Sequence, residues 1–67
     1  MSIVQRVGRT VKRLRIARGW TQQELADRID VRRPSITQIE SATRGVSLEI
    51  LEQLAKALRV KPAALLE

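Results

Sequence analysis

Residues 21–40 read TQQELADRIDVRRPSITQIE, and this stretch decides the fold. Thr21 is a favourable N-cap, and Glu24 follows three residues later, at the spacing of a capping box. Apolar residues then recur at helical intervals as far as Ile29, which predicts a short amphipathic helix. Asp30 tolerates left-handed backbone angles, so we predict that this helix ends near residue 29.

A second helix follows in the same stretch. Pro34 disfavours helical angles at the residue before it, so we predict that this helix begins near Arg33 or Pro34. Two isoleucines three residues apart face inward, whereas Ser35, Thr37 and Gln38 face outward. A helix, a turn of three or four residues and a second helix with outward hydrogen-bonding side chains form the pattern of a helix-turn-helix. Such a second helix can enter the major groove of DNA.

The composition of the chain limits the classes of protein to which it can belong. A chain of 67 residues buries only about 60% of its unfolded surface, which leaves little room for an enclosed active site. The absence of cysteine excludes disulfides and thiolate metal sites. The net charge of +6 favours a polyanionic partner, with nucleic acid ahead of an acidic membrane surface. Because we find neither a signal-peptide pattern nor an apolar run of roughly 20 residues, we expect a cytoplasmic protein with no membrane partner.

Further helices are predicted on both sides of the motif. Ser2 and Ser47 are N-cap candidates, and Pro62 suits a first helical position. Gly19 is the expected C-terminal stop of the first helix, and Trp20 is expected to fill the space between that helix and the motif. We therefore predict an all-α, compact five-helix fold in a single domain over residues 1–67. The predicted helices lie near residues 3–18, 22–29, 34–41, 48–58 and 62–66.

The ordered pattern of these residues resembles a known family. Gly19, Trp20 and Thr21 are followed by QQELA, then by an isoleucine pair and Glu40, then by SLEILEQLAKAL from Ser47. This set is similar to the DNA-binding domains of phage repressors and Cro proteins, the xenobiotic-response-element family of bacterial regulators. The resemblance covers nearly the whole chain. It implies a lambda-repressor-like fold in which residues 34–40 form the recognition helix.

The resemblance also implies which residues meet double-stranded DNA. An arginine in this helix can pair with guanine and a glutamine with adenine, while a proline ring or a threonine methyl can touch a thymine methyl. If the helix begins at residue 34, either of the two adjacent arginines can read a base while the other holds a phosphate. The implied base contacts are Arg33, Pro34, Thr37 and Gln38. The implied phosphate contacts are Thr21, Gln22, Arg32, Ser41 and Arg44.

Two further expectations concern the scaffold. Arg15 flanks the apolar stripe of the first helix, and partly buried charges need partners. The resemblance implies that Arg15 forms a buried ion pair with Glu40. Asp30, Ala42 and Arg59 stand where the family commonly has glycine, so we expect these turns to differ in shape.

The sequence thus predicts a sequence-specific DNA-binding transcriptional regulator that acts as a homodimer on a palindromic site. Residues 63–66 are the candidate dimer contact, although their leucines can equally close the core. We expect a change at Gln38 to relax base preference at one position, and changes at Gln22 or Arg44 to weaken all sites alike. The alternative is a protein-interaction module of the same fold, such as an antitoxin or accessory factor that binds an acidic partner. An enzyme is disfavoured because histidine, cysteine and tyrosine are absent, and we expect no cofactor, metal or small-molecule ligand.

Overall fold

Helices make up the whole regular structure of the chain, and no strand is present. The computed structural model describes all 67 residues. Four α-helices are followed by a 3-10 helix, so the last of the predicted elements is a single 3-10 segment rather than an α-helix. Their bounds are α1 (Ile3–Ala17), α2 (Gln22–Arg28), α3 (Arg33–Glu40), α4 (Leu48–Leu58) and the 3-10 helix (Pro62–Leu66). None of these helices has the length and apolar character needed to span a bilayer.

Three of the α-helices begin behind hydroxyl side chains, as predicted. The Ser2 hydroxyl accepts from the Gln5 amide at 3.1 Å, and the Gln5 side chain accepts from the Ser2 amide at 2.9 Å. The same reciprocal pair joins Thr21 and Glu24, with both distances 3.0 Å. Ser47 caps α4 through the amide of Ile50. These bonds satisfy backbone N–H groups that have no partner within their own helix, so they define where each helix starts.

The core is aliphatic and lies between the four α-helices and the 3-10 helix. α3 packs against α1 and α2, while the 3-10 helix packs against α1 and α4. Leu65 is fully buried, so this leucine of the 3-10 helix closes the core, whereas Leu66 stays 39% exposed. The buried apolar residues are Val7, Val11, Leu25, Ala26, Ile29, Ile36, Ile39, Leu51, Leu54, Ala55, Leu58 and Leu65.

A glycine inside α1 permits a close approach to α3. A side-chain carbon at Gly8 would overlap the carbonyl oxygen of Ile39 and lie 3.1 Å from the carbonyl oxygen of Glu40. Both neighbours are backbone atoms that cannot rotate away. Gly8 therefore sets the distance between α1 and the C-terminal end of α3.

Three turns use left-handed backbone angles at residues other than glycine. Asp30, Ala42 and Arg59 have φ of 57°, 59° and 57°. The expectation that these turns differ in shape is therefore wrong. Each keeps the helix-ending turn in which the following amide donates to the carbonyl five residues back, and this bond holds the left-handed residue in place. The three bonds are all 3.0 Å long: Val31 to Ala26, Thr43 to Gln38 and Val60 to Ala55.

Candidate nucleic-acid interface

The exposed side of α3 carries all four side chains that were predicted to contact bases. Its opposite side carries Ile36 and Ile39, which are only 0% and 3% exposed. Because a helix turns about 100° per residue, burial of this isoleucine pair directs the residues between them and before them towards solvent. We call the exposed side the outward face of α3. It consists of Arg33, Pro34, Thr37 and Gln38.

The first turn of α3 lies where it was predicted, at Arg33 or Pro34. The helix begins at Arg33, one residue before the approximate range 34–41 given for it, and Arg32 is the N-cap with extended backbone angles. Arg33 is helical even though the proline that follows it disfavours helical angles there. Pro34 itself occupies the second helical position. There its missing N–H is one of the groups that a helix leaves unbonded anyway. Arg32 makes no side-chain cap, so its exposed guanidinium stays available.

An ion pair joins α1 to the last residue of α3. The Arg15 Nε lies 2.7 Å from Glu40 Oε2, and its Nη2 lies 3.0 Å from Glu40 Oε1. The third nitrogen of Arg15 donates to the Trp20 carbonyl at 2.7 Å. The two charged side chains are only 10% and 3% exposed. Hydrogen bonding to Glu40 raises the pKa of Arg15 against the opposing effect of burial, so the guanidinium keeps its charge.

Gln22 connects this ion pair to the outward face of α3. Its Nε2 donates to Glu40 Oε1 at 3.1 Å, and its Oε1 accepts from the Thr37 hydroxyl at 2.9 Å. Both polar atoms of a side chain that was predicted to hold a phosphate are therefore bonded within the protein. The N-terminal amides of α2, which lie beside this side chain, are the remaining groups at that position able to meet a phosphate.

The other residues predicted at phosphates fall into two groups. Thr21 stands at the start of α2, which Gln22 ties to the second half of α3. Ser41 is the C-cap of α3, and its hydroxyl donates to the Gln38 carbonyl at 3.3 Å. Arg44 is exposed, and its Nη1 lies 3.3 Å from Gln38 Oε1. The structure thus brings Ser41 and Arg44 together beside Gln38, near the C-terminal end of α3, whereas Arg32 lies at its N-terminal end.

Two structural features near α3 were not predicted from the sequence. Trp20 is half-buried and packs on the core, as expected, but its ring is also covered by Arg28, whose guanidinium carbon lies 3.9 Å from the ring centroid. No pattern in the sequence pairs these residues. Gly8 was overlooked as well, although a glycine inside an apolar helical stripe is a signal of close packing. Gly8 brings α1 close to α3, whereas the contact of Arg28 with Trp20 joins the last turn of α2 to the turn after α1.

Known proteins are similar to this chain in sequence and in fold. A model of the helix-turn-helix family matches residues 11–65. The competence pilus inhibition repressor of Acinetobacter baylyi is 47% identical over 51 residues, which make up 76% of this chain and 46% of that protein. The chain thus spans about half the length of that relative.

Two solved structures have the same fold. The restriction-modification controller protein C.AhdI from Aeromonas hydrophila is 32% identical, with a TM-score of 0.88 over 92% of this chain and 94% of that chain. SinR, the master regulator for biofilm formation, was solved in complex with DNA; it is 27% identical, with a TM-score of 0.86 over 91% of this chain and 98% of that chain. The chain belongs to the helix-turn-helix family, of the Cro and phage-repressor type that its sequence resembles.

Proposed function

We propose that the chain, as one domain over residues 1–67, is a sequence-specific DNA-binding transcriptional regulator whose α3 enters the major groove. The observation that carries the proposal is the outward face of α3, which is exposed while the opposite face is packed in the core. A base reader needs side chains on a rigid element, and the buried ion pair of Arg15 with Glu40 supplies that rigidity. The family consists of transcription regulators and is not a family of enzymes.

The base contacts follow from the hydrogen-bonding groups on this face. Arg33 presents a guanidinium that suits guanine O6 and N7, and Gln38 presents an amide that suits adenine N6 and N7. The Pro34 ring offers an apolar contact for a thymine methyl. These side chains lie within two turns of helix, so one copy of the chain reads only a few base pairs.

Phosphate contacts on both sides of the groove would hold α3 in register. Arg32 serves the N-terminal end of α3, and Arg44 serves its C-terminal end. Such contacts carry little sequence information but make binding strongly dependent on salt. The net charge of +6 supports this role. The hydroxyls of Thr21 and Ser41 and the backbone amide of Gln22 complete the proposed set.

A homodimer is part of the proposal, because useful specificity requires two recognition helices about 34–36 Å apart on a palindromic site. An apolar groove lies between the start of α1, the start of α4 and the end of the 3-10 helix. Leu48 projects from its rim with 83% exposure, and Ile3 and Leu66 are also exposed there. We place the contact between two copies on this groove. Leu48→Lys should therefore shift the chain from dimer to monomer in sedimentation, whereas Ile16→Lys, at an exposed residue outside the groove, should not.

Selection of bound duplexes from a random library tests the whole proposal. We expect one enriched palindromic site, bound at least ~10³-fold more tightly than random DNA at the same salt concentration. A salt titration on the selected site should give a steep negative slope, because bound phosphates release counterions. Absence of any enriched sequence would refute the regulator proposal, and a weak, sequence-independent slope would favour the protein-interaction alternative.

A further inference from the structure

A chain of hydrogen bonds runs from the buried ion pair to the outward face of α3. Glu40, as a carboxylate, has no proton to donate and can only accept. The Gln22 atom beside it must therefore be the amide nitrogen, which lies 3.1 Å from Glu40 Oε1. The amide oxygen of Gln22 is then the atom that faces Thr37, at 2.9 Å from its hydroxyl. The ionic partner at one end thus determines which way the Gln22 amide points.

The orientation of Gln22 determines in turn what Thr37 can do. An amide oxygen has no hydrogen, so the Thr37 hydroxyl must donate its single proton to Gln22. The other acceptor near this hydroxyl is the Arg33 carbonyl at 3.3 Å, within α3 itself. Both partners of the hydroxyl are acceptors, and the shorter bond, to Gln22, is the one that holds the proton inside the protein. Towards solvent, Thr37 offers only oxygen lone pairs and its methyl group.

We propose that Gln22 is a specificity-determining residue, because it makes the exposed Thr37 hydroxyl an acceptor towards DNA. This inference rests on the proposed function. In the major groove the hydrogen-bond donors are the N6 amino group of adenine and the N4 amino group of cytosine. Thr37 therefore reads an amino group and cannot donate to guanine O6, guanine N7 or thymine O4. The role differs from a phosphate contact, since loss of Gln22 changes which base atom is read.

Base analogues in the selected site test this inference with the full chain. Thr37→Val, which removes the hydroxyl but keeps the shape, first identifies the base pair that Thr37 reads. At that pair the adenine is replaced by purine, or the cytosine by 2-pyrimidinone, so that only the amino group is lost. We expect this to weaken binding of the original chain roughly 2- to 12-fold, the value of one hydrogen bond. Binding of the Thr37→Val chain should not change, which controls for altered base pairing.

Substitution of Gln22, which accepts the Thr37 proton, completes the test. In Gln22→Leu only the longer bond to the Arg33 carbonyl remains, so the hydroxyl can turn its proton towards DNA more readily, and the loss on removing the amino group should shrink. Gln23→Leu is the matched control, because Gln23 is exposed on the same helix and bonds only Asp27, at 2.8 Å. Thermal melting confirms that both variants fold.

Three results would overturn the inference. One is sensitivity to loss of guanine O6, of thymine O4 or of the thymine methyl in place of the amino group. Another is an unchanged analogue profile in Gln22→Leu. The third is a Thr37→Val chain with the original preference at every base pair. Each of these leaves a specific site intact, so they are distinct from failure of the regulator proposal, in which no specific site is found.

Discussion

Removal of the Glu40 carboxylate isolates the contribution of the ion pair between α1 and α3. In Glu40→Ala, the Nε and Nη2 of Arg15 lose their acceptors, and only the bond from Nη1 to the Trp20 carbonyl remains. The Arg15 side chain is 10% exposed, so water cannot fully replace the lost carboxylate. Stranding one member of a buried pair costs about 3–5 kcal/mol. A negative charge at the C-terminal end of α3 opposes the helix dipole, so its removal offsets up to about 1 kcal/mol.

This loss is large relative to the total stability. A domain of 67 residues has a free energy of unfolding of roughly 3–10 kcal/mol. We therefore expect Glu40→Ala to lower the free energy of unfolding by about 2–5 kcal/mol and to leave the chain partly unfolded at 37 °C. Urea denaturation at 25 °C measures this directly. Trp20 is the only tryptophan, and its fluorescence reports the same region because Arg15 binds its carbonyl.

The double variant Arg15→Met/Glu40→Leu is the control. It removes both charges and keeps apolar volume in the site, and such replacements are often neutral or stabilising. We expect it to recover most of the stability that Glu40→Ala loses. A loss of less than about 1 kcal/mol in Glu40→Ala would show that the pair is solvated in solution, and the argument that it holds α3 rigidly would be wrong.

Four other changes test separate parts of the structure. Gly8→Ala should lower the free energy of unfolding, measured in urea, by about 1–2 kcal/mol. Crowding of the new methyl group against a fixed carbonyl outweighs the ~1 kcal/mol gain in helix propensity. A stabilised variant would show that α1 can move away from α3. Ala42→Gly should raise the melting temperature, because glycine relieves a left-handed backbone strain of about 1–2 kcal/mol. This gain exceeds the free-energy cost of the greater conformational entropy that glycine gives the unfolded chain. An unchanged or lower melting temperature would show that Ala42 is not strained. Gln38→Ala should relax base preference at one position by about 1–3 kcal/mol while the salt slope stays constant. Arg44→Ala should weaken binding to all DNA sequences alike and make the salt dependence of binding shallower by about one unit of slope. A change in base preference instead would show that Arg44 contacts a base.

The helices and their caps were predictable because they depend on short-range interactions. A hydroxyl side chain bonds an amide three residues away, so Ser2, Thr21 and Ser47 mark helix starts without knowledge of the rest of the fold. The apolar spacing likewise predicted which residues of α3 are buried. The start of α3 was less certain, because the local preference of a residue before proline is weak enough for packing to override it.

The turns were harder to predict. Residue type alone argued against left-handed angles at Ala42 and Arg59, yet both residues adopt them. The deciding factor is the geometry of the two helices that each turn connects, together with the amide bond that closes each helix end. Steric preference of about 1–2 kcal/mol cannot outweigh a turn that the core requires.

Residue order and spacing alone determined that this chain is helical, that a helix-turn-helix lies at its centre, and that Thr37 and Gln38 point away from the core. Only the tertiary structure decided how close α1 approaches α3 at Gly8, and that Gln22 bonds Glu40 and Thr37 rather than standing free for a phosphate. The physical reason is the distance along the sequence over which each kind of interaction acts. Periodicity and caps act over three or four residues, whereas hydrogen bonds between side chains 15 or 18 positions apart exist only after packing has brought their helices together.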